Sequence, residues 1–396
     1  MSTQQQSLSA KAGQPSSIFT TGLALFSMFF GAGNLIFPLL IGKSVGENVW
    51  FAILGLSLTA VIVPFLGLGA MVLFQGDYRR FFGRIGKIPG LGLLLLLQLI
   101  LGPLGVIPRL VTLMHAMAKP YLNMPLIVFS ILITGIIFVG SFRRHWLIGL
   151  LGKILTPVLL LSLTALVFFS LTDGSSFQAV GTSPNSCFLQ GLLGGYNTMD
   201  LIAAFLFATV ILPHFHKETA LEHPQQRHRS LLRKIFFSSL IAASLLLLTY
   251  IGLCLVSAKH GWTLDAACPA EQMLSAIAIK LLGPVGGFIA AVAVITACLT
   301  TAMVLVPIFA DYLSKDLCKD KLSSQASLII TLVATTLVAS MGFGNIAAFL
   351  GPILQIVYPG LILLSLLNLL HSLYGYQMVK LPVFFALVAS AIIYFR

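Results

Sequence analysis

Asp200 sits in "GGYNTMDLIAAFLFATVILP" and is the single acidic residue deep inside an apolar run. Acids at that depth are costly and mark handling of an ion, an ammonium group or a proton. The competing reading is structural: a carboxylate in the first turn of a helix suits the positive end of its dipole. Arg109, after Pro108 in "GPLGVIPR", is the basic counterpart. It could take a carboxylate, close an outer gate against an acid, or reach outward to the headgroups. A third stretch carries no charge. "FFGAGNLIFP" (Phe29 to Pro38) sets Gly31, Ala32, Gly33 and Asn34 in the middle of an apolar segment. Glycine inside a helix costs about 1 kcal/mol relative to alanine, and a buried amide needs partners. The cluster therefore favours local unwinding, which frees backbone groups to hold a solute. Close helix packing through small residues is the alternative.

The elements around these residues follow from composition. Of 396 residues, 58% are hydrophobic and 9% charged, against about 25% charged in soluble chains. This is an all-α integral membrane protein. The net charge of +12 does not indicate nucleic acid, because the basic residues form short clusters between apolar runs. A crossing takes about 20 apolar residues. That rule gives eleven candidate spans at roughly 17–42, 48–75, 90–118, 124–140, 147–171, 189–213, 232–257, 283–312, 326–342, 346–370 and 378–395. Runs such as "LGLLLLLQLILG" do not alternate in polarity, which excludes a barrel. Residues 1–16 read as a polar tail, and the first apolar run as a retained span rather than a cleaved signal. Alternate loops collect seventeen lysines and arginines on one side and five on the other. The richer side is cytoplasmic, with the N-terminus inside and the C-terminus outside.

Span 6 matches span 1 in kind. Gly191, Gly194 and Gly195 precede Tyr196, Asn197, Thr198, Met199 and Asp200, and a second apolar helix follows. Asn197 or Thr198 could cap that helix. Irregular backbone survives in a bilayer only where it lines a cavity or is buried in protein. The breaks lie five spans apart, so the two helices run in opposite directions. Two inverted five-helix repeats, 17–171 and 189–370, with an additional span at 378–396, produce that arrangement. Interrupted helices in corresponding positions point to the binding site of a secondary transporter.

"FFGAGNLIFP" (29–38), "GPLGVIPR" (102–109), "GGYNTMD" (194–200), "ACLTTA" (297–302) and "IVYPG" (356–360) resemble the BrnQ-type branched-chain amino acid carriers. These are leucine/isoleucine/valine:cation symporters of the amino acid-polyamine-organocation superfamily. The resemblance implies a carrier of the bacterial inner (plasma) membrane driven by Na+, with H+ as the alternative. It also implies a 5+5 inverted repeat with broken helices 1 and 6 and about twelve spans. This chain ends at "SAIIYFR", one span short of that number, and reads "VYPG" where a second proline is expected.

An amino acid substrate needs three kinds of contact. Its carboxylate would meet backbone N–H groups of Gly31, Ala32, Gly33 and Asn34 at a half-helix N-terminus, or Arg109. Its ammonium would meet the carbonyls of Phe29, Phe30 and the Gly194, Gly195, Tyr196, Asn197 stretch, beside Thr198, or the Asp200 carboxylate. Its aliphatic side chain would meet Phe205, Leu206, Leu104 and Ile107. By resemblance to the superfamily's sodium site, Thr300, Thr301 and the Ala297 carbonyl in span 8 would face the carbonyls of Ser27 and Phe30 and bind the ion. The alternative is that both threonines bond back to their own helix.

The five cysteines have no metal-like spacing, and Cys187 and Cys268, both read as outer-loop residues, leave a disulfide open. His214, His216, His223 and His228 fall in a basic inner loop, read as solvated rather than as a metal site. No phosphate loop, nucleotide fingerprint or hydrolytic triad is present. An enzyme would lack its acids, bases and nucleophiles, and a channel would need a line of pore residues. The expected partners are an amino acid and the lipid bilayer.

Overall fold

The computed structural model describes residues 18–141, 156–218, 224–265 and 268–395. The tail 1–16 lies outside them, as do His223 and the side chains of His214, His216 and His228. In chain order the helices are α1 (Ile18–Phe29), α2 (Ala32–Val45), α3 (Val49–Ser57), α4 (Val63–Leu73), α5 (Tyr78–Gly83), α6 (Lys87–Leu101), α7 (Val106–Ala118) and α8 (Leu126–Ser141). They continue as α9 (Thr156–Thr172), α10 (Pro184–Tyr196), α11 (Asp200–Glu218), α12 (Pro224–His260), α13 (Met273–Asp311), α14 (Ser324–Ala339), α15 (Phe343–Tyr374) and α16 (Lys380–Phe395). No strand occurs among the described residues. Among the described residues, six apolar stretches have the length to cross a bilayer, and five shorter apolar helices accompany them.

Span 1 is α1 and α2, interrupted between Phe29 and Ala32, and span 6 is α10 and α11, interrupted between Tyr196 and Asp200. Span 3 was expected to be continuous but is broken as well. Gly102 to Gly105 separates α6 from α7, because Pro103 lacks the N–H that would continue the ladder. Span 8 follows the turn at Gly283, whose φ of 72° favours glycine, and a separate helical stretch over 273–282 precedes it.

The packing follows the inverted repeat. α1 and α2 lie along α12, while α10 and α11 lie along α3 and α4; α7 lies along α13. Lipid removes the hydrophobic drive between helices, so close approach has to come from small residues. A Cβ at Gly42 of α2 would fall 2.2 Å from the Cys254 carbonyl oxygen of α12. A Cβ at Gly191 would fall 1.9 Å from the Ala52 carbonyl oxygen, and one at Gly195 2.0 Å from Thr59 Oγ1. The Gly191 and Gly195 pair is thus a helix-packing seam, and the span 6 break lies just beyond it. Peripheral helices show apolar faces, as at Ile131 on α8, Leu337 on α14 and Phe384 on α16.

Cys187 lies buried within α10 rather than in a loop, and Cys187 and Cys268 are both free thiols. On the side read as cytoplasmic, Arg79 and Tyr78 of α5 both engage Asp316, beyond the end of α13.

Candidate functional site

The break in span 1 creates its own ligands. The last carbonyls of a helix have no partner within it. At the end of α1, Phe30 N–H donates to Phe26 O, and the Ser27 and Phe30 carbonyls are left facing α13. Thr301 Oγ1 lies 3.3 Å from each of them and 3.0 Å from Ala297 O. Thr300 Oγ1 donates to Ala297 O at 2.8 Å, a bond within its own helix. Ser27, Thr300 and Thr301 are all buried. Five oxygens, none carrying a formal charge, thus meet where α1 crosses α13. Such a donor set suits a hard cation held by oxygen ligands. No group of three or more His, Cys, Asp or Glu side chains that could hold a metal occurs among the described residues.

Asn34, in the first turn of α2, links the two breaks. Its Oδ1 accepts the Gly31 N–H at 3.0 Å, and its Nδ2 donates to Asp200 Oδ1 at 2.9 Å and Oδ2 at 2.8 Å. Asp200 opens α11, so its charge sits at the positive end of that helix. Tyr250 O–H from α12 donates to Asp200 Oδ2 at 2.7 Å and also contacts Asn34 Nδ2. Gly33 brings the backbones together, since a Cβ there would lie 3.0 Å from Thr198 Cα and 3.1 Å from Thr198 O. Gly31 is in extended backbone, and a Cβ there would meet nothing nearer than 3.6 Å.

The turn in span 6 is carried by Met199, at φ 63°, a left-handed conformation that strains a non-glycine residue by about 1–3 kcal/mol. Neither expected cap acts on α11. Thr198 Oγ1 donates back to Gly195 O and Asn197 Nδ2 back to Leu193 O.

Arg109 points inward and is 2% exposed, so it does not reach the headgroups. Its Nη1 donates to Asn197 O at 3.1 Å, while Nε and Nη2 have no partner. The guanidinium lies 5.5 Å from the ring centres of both Phe37 and Phe343, which neighbour each other at 6.2 Å, two cation–π contacts from one side.

One closed cavity of about 20 Å³ lies among these groups, lined by Phe29, Gly31, Ala32, Gly33, Asn34, Arg109, Thr198, Asp200 and Thr301. That is room for about one water. Its apolar wall is Met28, Leu101, Val106, Met199, Ala203, Phe207 and Leu305. The expected wall residues Leu104, Ile107, Phe205 and Leu206 do not line it; Phe205 packs on Phe81 and Phe82 instead. Gly195 and Tyr196 also stand back: Gly195 packs on Thr59, and the Tyr196 ring stacks on Tyr358 at 4.7 Å. Phe30 serves the oxygen cluster and Asn197 offers its carbonyl to Arg109. The sequence reading missed Tyr250 and Phe343. For Tyr250 a signal existed, a hydroxyl in "LLLLTYIGLC" far from either membrane surface.

Broken, inverted helices around a buried polar centre define the class as a transporter of the secondary-carrier fold, and the solved structures agree. Mhp1, a nucleobase-cation-symport-1 family transporter, in its inward-facing conformation shares the fold at a TM-score of 0.62 and 13% identity, with 97% of this chain and 90% of Mhp1 covered. A Na+-coupled sialic acid symporter matches at a TM-score of 0.53 and 12% identity, with 96% and 90% covered. The chain belongs to the branched-chain amino acid transport protein family, whose profile matches residues 14–395. Among its relatives, the branched-chain amino acid permease BrnQ of Corynebacterium glutamicum is 32% identical over 367 residues, covering 90% of this chain and 82% of that protein. The permease BraB of Bacillus subtilis is 29% identical over 362 residues, with 89% and 80% covered. The protein is therefore a multi-pass membrane transporter and not an enzyme.

Proposed function

We propose that the protein is a symporter that carries leucine, isoleucine or valine into the cytoplasm together with Na+. It would do so from the bacterial inner membrane, with its N-terminus on the cytoplasmic side. The observation that carries the coupling is the meeting of Thr301 Oγ1 with the carbonyls of Ser27 and Phe30, 3.3 Å from each. A cation held there, with Ala297 O and Thr300 completing the set, ties α1 to α13. It can shift the carrier's equilibrium only by binding one arrangement of these helices better than another. The same cation would then raise substrate affinity, and the substrate would raise the cation's, by one common factor. The cavity beside the cluster, widened when the helices around it part, is the substrate's place in this reading, since Thr301 lines it too. The Na+ coupling of the sialic acid symporter with the same fold supports Na+ over H+. The closed cavity supports a carrier over a channel.

The test is uptake of labelled leucine into proteoliposomes. Accumulation driven by an inward Na+ gradient is expected. Equal accumulation without Na+ under an inward H+ gradient would transfer the coupling to a proton. Mere equilibration under either gradient would mean an uncoupled facilitator.

A further inference from the structure

The cavity holds two opposite formal charges that do not pair with each other. Asp200 and Arg109 both line it, each is nearly inaccessible to solvent, and no ion pair within 4.0 Å joins them. Leaving charges apart in a low-dielectric interior is expensive unless something else satisfies them. Asp200 is satisfied by neutral donors, the Asn34 amide and the Tyr250 hydroxyl. Arg109 is not: its one bond uses Nη1. The orphans, Nε and Nη2, are adjacent nitrogens on one edge of the guanidinium plane. That edge is a two-pronged donor for a carboxylate. The neighbouring Phe37 and Phe343 rings hold the guanidinium without using the edge. Of the backbone donors at the start of α2 that could compete for a carboxylate, Gly31 N–H is already taken by Asn34 Oδ1.

We propose that Asp200 and Arg109 form a clamp for the two ends of an α-amino acid zwitterion. The substrate ammonium goes to Asp200 and the carboxylate to the Nε/Nη2 edge of Arg109. This rests on the substrate reading given above and sharpens it, because it fixes which end goes where. The aliphatic chain then lies along Met28, Phe29, Leu101, Phe207 and Leu305. A zwitterion adds no net charge to the centre, so the pair of charges stays balanced. A branched 2-oxo acid adds a negative charge and leaves Asp200 without its cation. A branched amine adds a positive charge and leaves Arg109 without its anion. Either analogue leaves a buried polar group unpaired, which is the strongest basis a site has for rejection.

The experiment is equilibrium binding of labelled leucine to the purified full chain in nanodiscs at saturating Na+. The competitors are 4-methyl-2-oxopentanoate and 3-methylbutylamine. On the unaltered protein each should compete at least about 100-fold more weakly than leucine, the loss expected for an unpaired buried charge partner. If either analogue competes as well as leucine, the clamp is wrong whatever any variant does. Asp200→Asn should weaken leucine by about 100-fold and narrow the gap between leucine and the 2-oxo acid. Arg109→Gln should weaken leucine similarly and narrow the gap to the amine. Arg109→Lys, which keeps the charge and loses the two-pronged edge, should still fall about 10-fold. Unchanged leucine preference in folded, monodisperse Asp200→Asn or Arg109→Gln would overturn the clamp while leaving an amino acid carrier intact. An unaltered protein that binds no leucine would instead sink the substrate reading, and the clamp with it.

Discussion

The oxygen cluster at Thr301 and the Asp200–Arg109 cavity share one wall, yet they are built on opposite principles. The cluster is assembled from neutral oxygens, two of them carbonyls orphaned by the end of α1. The cavity is assembled from full charges held by fixed neighbours. A neutral set can stand empty without an uncompensated charge, which suits an ion that comes and goes. A charged, internally balanced set suits a dipolar solute and discriminates against anything with a single charge. In the proposed symport, the two tasks are thus separated chemically.

The harshest way to break this comparison is to force apart the two helix breaks that frame the cavity. Gly33→Val drives a branched side chain against the Thr198 backbone, 3.0 Å away already at Cβ. Overpacking of this kind costs about 1–3 kcal/mol, and here it separates the two breaks. Transport should be abolished and thermal stability lowered, while Gly31→Ala, whose Cβ would meet nothing nearer than 3.6 Å, should leave thermal stability unchanged. Leucine binding per folded molecule reads the difference. Near-normal affinity in Gly33→Val would mean that the joined breaks do not build the cavity.

Thr301→Val separates the two regions. It deletes the one hydroxyl that reaches across to Ser27 O and Phe30 O. The Na+ concentration for half-maximal uptake should rise by roughly 10- to 100-fold, as loss of a buried polar contact predicts. The ranking of leucine, isoleucine and valine should stay as it was. Thr300→Val should raise the Na+ requirement less than Thr301→Val does, because that hydroxyl bonds its own helix and only completes the set. A changed substrate ranking in Thr301→Val would merge the two sites into one.

Tyr250→Phe probes the charged side alone. It removes one of the donors to Asp200 and leaves the Asn34 amide in place. Leucine affinity should fall about 10-fold with the Na+ requirement unchanged at saturating leucine, the weight of one hydrogen bond to a charged group. Equal shifts in both would show that Asp200 also serves the ion.

The smallest effect is a control far from both regions. The Asp173 carboxyl, beyond the end of α9, is held below its usual value, first by the Ser175 side chain, then by the Ser175 backbone and by His260. Its folded value lies below the unfolded one. The contribution is therefore present above the ordinary carboxylate range and is lost as pH falls through the folded value. Being exposed, it should contribute weakly. Acid on the face that carries Asp173 should speed hydrogen exchange around Ser175 and leave leucine selectivity alone. Altered selectivity would tie this loop to the cavity.

Much of this was legible in the chain. The spans were visible because each apolar run is long and unalternating, and the break in span 1 because an amide in lipid demands a partner, though it falls at Phe30 and Gly31 and leaves Ala32, Gly33 and Asn34 helical. Asp200 was conspicuous as a lone acid, and Thr300 with Thr301 through the family resemblance. What was illegible depended on distant partners. Gly191 and Gly195 read as helix weakeners but serve contact with α3, a distinction that needs the facing helix. The break at Gly102 to Gly105 was hidden because glycine and proline are tolerated in continuous membrane helices. The aliphatic wall could not be picked out, since leucines facing lipid, core and cavity are the same residue in sequence. Arg109 gave its identity but not its direction; the rings that hold it come from Phe37 and Phe343, the latter 234 positions away.

A central space of about 20 Å³ has a consequence for the membrane as a barrier. Roughly one water fits there, and a single molecule between closed walls is not a file along which protons can hop or osmotic flow can pass. While it idles, the protein should dissipate neither the ion gradient nor the osmotic balance of the cell. Stopped-flow light scattering should find vesicles carrying it no more permeable to water than vesicles without it.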